Sequence, residues 1–304
     1  MSSQAPSTRP SRRRTAARGR LLGYLFVLPA VIMYVGFVVV PLARSITYSF
    51  YDWNGIVDGT WVGLRNYVRV FTDPTLASSI LHAFQLVLFF TVIPVLLGLA
   101  AAAAIHRTAR GPFGSIARTT LFLPQVIPLV AAGIAWKWAY SSTGVVNQIL
   151  SAVGLGGLTR PWLADFDAAL PAVGVIGSWV ILGLTTILLL TGIAKIDESL
   201  YEAARIDGAG PLWEFWAITV PGLAREIGVC VTVSMIAALA TFDIVYTTTL
   251  GGPGRETMVP GIQIYRLAFA ERNVGLASAM AVVLMLLIVS CVFLVQRFMR
   301  RFDA

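Results

Sequence analysis

The chain has 304 residues, of which 57% are hydrophobic and only 12% charged, with a formal net charge of +8 and a mean hydropathy of +0.77. That is too apolar for one soluble domain with a wetted surface, so a bilayer is the solvent to test first. The excess arginine would suit nucleic acid, but it crowds beside the first apolar run, where membrane topology and anionic lipid account for it, and no nucleic-acid partner is expected.

An apolar run of about 20 residues crosses the hydrocarbon layer as a helix, because the layer is roughly 30 Å thick and each residue rises about 1.5 Å. A basic arm at 1–20 carries Arg9, Arg12, Arg13, Arg14, Arg18 and Arg20. Six runs of spanning length follow, at 21–43, 80–105, 119–140, 169–193, 227–248 and 275–295. Uninterrupted apolar length favours helices, since barrel strands would alternate apolar with polar residues. The arginine run before the first span is similar to a twin-arginine or secretory signal. That span is long for a signal core, however, and Pro41-Leu42-Ala43 lacks the small residue three back from a cleavage point.

Arg107, Arg110 and Arg118 follow the second run, and Arg297, Arg300 and Arg301 close the chain in a tail at 297–304. With six spans these lie on the same side as the arm. The opposite loops balance their charge, with Arg44, Arg65 and Arg69 against Asp52, Asp58 and Asp73, and Arg160 against Asp165 and Asp167. The positive-inside rule therefore places both termini in the cytoplasm. The outer segment 53–67, WNGIVDGTWVGLRNY, reads either as a docking surface for an external protein or as a capped outer face.

Few ionisable groups fall within the spans. Lys137 stands between Trp136 and Trp138, a pattern that anchors a helix at headgroup level with the lysine reaching outward. Asp243 is the one carboxylate deep enough to matter, and reads either as a hydrogen-bonded group near the outer end of the fifth span or as part of a solute path. Cys230 and Cys291 lie within spans and behave as small hydrophobes, while His82 and His106 stand near span ends as interfacial residues, so no metal site is expected. Neither lysine, Lys137 or Lys195, follows a phosphate-cradling glycine loop, and no H-E-x-x-H or G-x-S-x-G pattern occurs. The chain is expected to bind no cofactor and to catalyse no reaction of its own.

The loop at 194–225 looks folded. Ser199 to Glu202 fits a capping box, Gly208 and Gly210 stop a helix, and Pro211 starts another. Leu200, Ala203 and Ala204 share one face of the first short helix; Leu212, Phe215, Trp216 and Ile218 give the second an apolar side. Helices this short need a surface to lie against, and two readings remain open: a hairpin resting on lipid headgroups, or a knob that docks into a protein. Its acidic balance, with Asp197, Glu198, Glu202, Asp207 and Glu214 against Lys195 and Arg205, suits a protein better than anionic lipid.

Glu202-Ala203-Ala204, three residues, Gly208, nine residues, then Ile218-Thr219-Val220-Pro221 resembles the EAA motif of permease subunits of binding-protein-dependent ABC importers. Val220 departs mildly from the usual leucine. WKWAYSSTGVVNQIL at 136–150, with Gly144 and Asn147, and FDIVYTTTLGGPGRETMVPGIQIYRLAF at 242–269 resemble further segments of the sugar-transporting branch, near the maltose and glycerol-phosphate systems. The resemblance implies an all-α membrane protein of six transmembrane helices, a transmembrane domain at 21–296 with a cytoplasmic coupling loop, in the cytoplasmic membrane of a prokaryote. It implies partners: a second homologous permease, two cytoplasmic ATPase subunits that use ATP and Mg, an extracytoplasmic solute-binding protein and surrounding lipid.

By the same resemblance Glu202, Ala203, Ala204, Asp207 and Gly208 form the ATPase-coupling element. Gly177, Ile181, Leu184, Ala237, Ala238 and Thr241 map to the sugar path, with Gln85, Asp243 and Tyr246 as additions. The function implied is ATP-driven import of a sugar or sugar-like solute by alternating access. The alternatives are an ion-coupled secondary carrier and a membrane scaffold that transports nothing.

Overall fold

The computed structural model describes residues 24–108 and 112–299. The basic arm with its six arginines, Arg110, and the end of the tail with Arg300 and Arg301 lie outside the described residues. Arg297, expected in a tail, is still helical, because the last span runs on to Met299.

Helix α1 (Tyr24–Tyr48) leaves the membrane into a two-stranded antiparallel ribbon, β1 (Tyr51–Asp52) and β2 (Thr60–Trp61), with Tyr51 opposite Trp61. A short helix α2 (Arg65–Thr72) follows, seated by buried Asn66, whose amide donates to the Ser49 and Tyr51 carbonyls, both at 2.9 Å. Helix α3 (Pro74–Arg107) has 34 residues, about 51 Å at a helical rise, so it extends well beyond a bilayer core. Pro94 removes one of its backbone donors, yet the helix continues through a widened turn at Leu88–Val92. Ser178 donates to the carbonyl of Phe89 at 2.6 Å there, restoring a backbone partner from a neighbouring helix.

The expected third span at 119–140 is two helices. Helix α4 (Gly114–Val126) and α5 (Leu129–Ala139) meet at 100°. Pro128 lacks an N–H and drives Ile127 out of the helical region, which breaks the run although every residue around it is apolar enough to continue. After α6 (Val145–Ala152), helix α7 (Ala169–Ile193) runs through the centre and packs against both α3 and α4. Its close approach to α4 depends on Gly183, where any Cβ would collide with the Leu121 carbonyl.

Helices α8 (Glu198–Ile206) and α9 (Pro211–Gly222) form a hairpin, and α9 turns by 70° into α10 (Ala224–Leu239). The expected fifth span at 227–248 stops at Leu239. Residues 240–242 are non-helical, and α11 (Asp243–Thr248) restarts beyond them. Apolar periodicity gives no sign of this break, and Gly261 admits the Thr241 carbonyl there, 2.9 Å from where a Cβ would stand. Gly261 belongs to α12 (Pro260–Tyr265), which precedes the last span, α13 (Val274–Met299). Helix α13 packs on α10 and α1.

Candidate functional site

Among the clefts that the described residues form, one lies among the broken helices, and a hairpin stands at one end of the spans. The cavity holds about 310 Å³ and lies where α3, α7, α10 and the α4–α5 bend meet the break at 240–242. Its walls are mainly apolar, from Phe90, Leu129, Val180, Ile181, Leu184 and Phe242. Gln125, Ser234, Thr241 and Asp243 add polar groups. Non-helical backbone at membrane depth is tolerated where it lines such a cavity, since water or solute can serve its exposed groups. The Gln125 Oε1 is buried and, among the described residues, accepts no hydrogen bond. A buried acceptor left open is costly.

Six of the residues drawn from the sequence reach this cavity together: Gly177, Ile181, Leu184, Ala237, Thr241 and Asp243. Ala238 does not; one position further round α10, it is fully buried in the core against α7 and α11. Tyr246 is also outside. It stacks on Phe242 with ring centroids 5.1 Å apart and meets Tyr265 at 5.5 Å, supporting the break from behind. Gln85 is exposed on α3 and not among the lining residues. Gln125 was missed because it lies beside Pro124 and near Pro128, and only the bend between α4 and α5 brings it inward.

The hairpin is built differently from its sequence pattern at the start. Asp197, not Ser199, is the N-cap of α8, accepting from the Ser199 N–H at 3.0 Å. Asp197 comes first in the chain and its charged carboxylate is the stronger acceptor at a helix N-terminus, which leaves Ser199 inside the first turn. Hydrogen bonds from Ser199 hold the Asp197 carboxyl below its ordinary value. The other end follows the glycine pattern. Gly208 has φ +84°, its N–H donates to the Arg205 carbonyl at 3.1 Å, and the Ala209 N–H reaches back to the Ala204 carbonyl at 2.9 Å. Gly210 then caps α9, with Pro211 in its first position.

Tyr201 and Ala204 face the body of the protein, whereas Leu200 and Ala203 point away, so the expected shared face of Leu200, Ala203 and Ala204 is split. The Tyr201 hydroxyl lies 3.0 Å from the Thr219 Oγ1 and joins the two hairpin helices. On α9 Phe215 and Ile218 are half-buried, but Leu212 and Trp216 are exposed. The fully buried place goes to Glu214. Its two oxygens accept from Arg205 Nε and Arg107 Nη2, each at 2.9 Å. Glu214 stands four residues before Ile218 on the inward side of α9, the one signal that could have marked it as internal.

The outward surface thus carries Leu200, Ala203, Ile206, Leu212, Trp213 and Trp216, with Glu202, Asp207 and Gly208 beside them. Ile206 is 86% exposed. Exposed apolar residues with carboxylates beside them, at the end of a helical bundle, suit a surface that something else covers.

Broken membrane helices around a partly polar cavity, with a rigid hairpin at one end, define the membrane subunit of a solute transporter. The chain belongs to the family described as binding-protein-dependent transport system inner membrane component, which matches residues 94–304. It is 32% identical over 285 residues to the probable ABC transporter permease protein YurN of Bacillus subtilis, covering 93% of this chain and 97% of that one. It is 31% identical over 303 residues to the diacetylchitobiose uptake system permease protein NgcF of Streptomyces coelicolor, covering 94% and 85%. The fold matches, with a TM-score of 0.79 and 24% identity, a crystal structure of a bacterial ABC transporter involved in alginate import, covering 96% of this chain and 99% of that one.

Proposed function

We propose that this chain is the permease subunit of an ATP-driven importer for a sugar or sugar-like solute, working by alternating access. The observation that carries the reading is mechanical continuity: α9 of the hairpin runs through a single bend at Leu223 into α10, whose far end is the break that walls the cavity. A displacement of the hairpin by about an ångström therefore reaches Ala237 and Thr241 without passing through a flexible loop.

The coupling surface is Glu202, Ala203, Asp207 and Gly208, together with the exposed apolar residues beside them; Ala204, expected among them, is buried against the body and supports the helix from within. Its occupant is a cytoplasmic ATPase subunit, one of two that supply ATP and Mg chemistry. A second homologous permease completes the pathway, an extracytoplasmic binding protein delivers solute, and lipid covers the outward apolar faces of the spans. In this orientation the hairpin, Arg107 and both termini are cytoplasmic. The chain divides into the arm at 1–20, the membrane domain at 21–296 and the tail.

The sugar class is supported by NgcF and by the cavity itself. Leu129, Leu184 and Phe242 offer apolar surface for sugar carbons, while Gln125, Thr241 and Asp243 offer groups for hydroxyls. Gly177 admits the Phe90 ring, which an added Cβ would strike.

Reconstitution of the complete complex in proteoliposomes tests the function, with uptake of sugars followed with and without ATP. ATP-dependent uptake is expected. Uptake driven by an ion gradient without ATP would establish a secondary carrier instead, and no uptake under either condition a scaffold.

A further inference from the structure

Glu214 is the one charged side chain among the described residues that is buried, and three elements converge on it. Its own helix is α9; Arg205 comes from α8, and Arg107 from the last residue of α3. The Arg107 Nη2 also donates to the Pro211 carbonyl at 2.9 Å, at the start of α9. The Glu214 side chain is 6% exposed, but its partners are 41% and 56% exposed, so only the carboxylate has been withdrawn from water. Desolvating a carboxylate is unfavourable unless both oxygens are served. The two hairpin helices are also joined by the Tyr201 hydroxyl and Thr219, whereas the Arg107 contact reaches beyond the hairpin.

Charge-assisted pairs differ from apolar packing in fixing direction as well as distance. The Arg107 contacts fix α3 to the hairpin. Following α3 back from Arg107, Phe90 lies 17 residues away, about 25 Å at a helical rise, and forms a wall of the cavity. Beyond its direct chain link to α7, the hairpin thus has two outlets: α9 into α10, and Glu214 through Arg107 into α3.

We propose that Glu214 is a coupling latch that locks α3 to the hairpin, so that one push moves the α10 and α3 walls of the cavity together. Arg107 is its partner on α3, and both are positioning residues that touch no solute. The proposal rests on the reading of the hairpin as the ATPase-docking element. Without the latch, the ATPases still dock and hydrolyse ATP, but α10 moves alone and the cavity opens incompletely.

The test uses the complete reconstituted complex carrying Glu214→Gln, Arg107→Ala, the double variant and Arg107→Lys. Three quantities are read: cross-linking from a cysteine at Ala203 to the ATPase, ATP hydrolysis, and solute moved per ATP. Both single variants are expected to keep the cross-link and at least half the hydrolysis while solute per ATP falls fivefold or more. The double variant should be no worse than the poorer single one, because both remove the same connection, and Arg107→Lys should recover part of the loss. Arg107→Ala leaves Glu214 paired with Arg205, so it carries the test if Glu214→Gln assembles poorly. A normal cross-link with unchanged solute per ATP in Arg107→Ala would overturn the latch alone. Absence of the cross-link in the Ala203→Cys protein that keeps Glu214 and Arg107 would overturn the docking reading and, with it, the latch.

Discussion

Replacing Gly208 by alanine asks why the hairpin turn carries glycine. The residue sits at φ +84°, where an L-residue costs about 1–2 kcal/mol through contact of its Cβ with the following carbonyl. An added Cβ would meet nothing within 4 Å, so no packing cost adds to the backbone one. That energy corresponds to about a 5–30-fold lower occupancy of the native turn. The hairpin remains fastened by Tyr201 and Glu214, so the chain should insert normally while Asp207 and Ala209 leave their positions on the docking surface. Uptake through the reconstituted complex should fall by up to that factor, with weaker retention of the ATPase on purification. Gly208→Asn should recover most of the activity, because asparagine tolerates the left-handed region. Full activity of Gly208→Ala would refute the need for this backbone angle. An asparagine variant as poor as the alanine one would show that the partner's approach, not the angle, demands glycine.

Four other outcomes follow from the geometry. Gly183→Ala forces α7 away from the Leu121 carbonyl; a cost of about 1–3 kcal/mol should appear as a lower melting midpoint in detergent and a smaller folded yield. Gln125→Leu and Thr241→Val each remove a hydrogen-bonding group from the cavity, and loss of about 0.5–1.5 kcal/mol per bond should raise the KM of transport roughly 2–10-fold with little change in ATPase docking. Asp243→Ala should alter the order of preference among solutes; unchanged kinetics across a sugar panel would reduce it to a structural role. Asp197 has a lowered folded value, so its cap contributes above the ordinary aspartate value of about 3.9 and is lost as pH falls through the folded value. The protection factors of the amides at the start of α8, that is, their exchange relative to the intrinsic rate at each pH, should therefore stay constant between pH 5 and 8 and fall in Asp197→Ala, measured against Asp197→Asn, which keeps an accepting oxygen.

The composition and run lengths alone were enough for an all-helical membrane chain, because a bilayer demands long apolar stretches and helices satisfy their own backbone. The hairpin was equally legible: Gly208, Gly210 and Pro211 are local devices, acting on residues a few positions away. Its inward and outward faces were less so. Ala203 and Ala204 are the same residue type, and only the body against which α8 lies makes one buried and the other exposed. Glu214 shows the same limit more sharply, since its place inside depends on Arg107, 107 positions earlier in the chain.

The breaks in the third and fifth spans divide along the same line. Pro128 announces the first as a local fact about one missing N–H, although not its 100° angle. The second, at 240–242, contains neither proline nor glycine, and the glycine that lets a neighbour lie against it, Gly261, comes from another element. The sequence by itself determined that the chain crosses a membrane and presents a glycine-stopped hairpin at one end, because both follow from short-range chemistry. Only the tertiary structure decided that Gln125, Thr241 and Asp243 share a cavity while Ala238 and Tyr246 do not, because that depends on where packed neighbours force helices to stop.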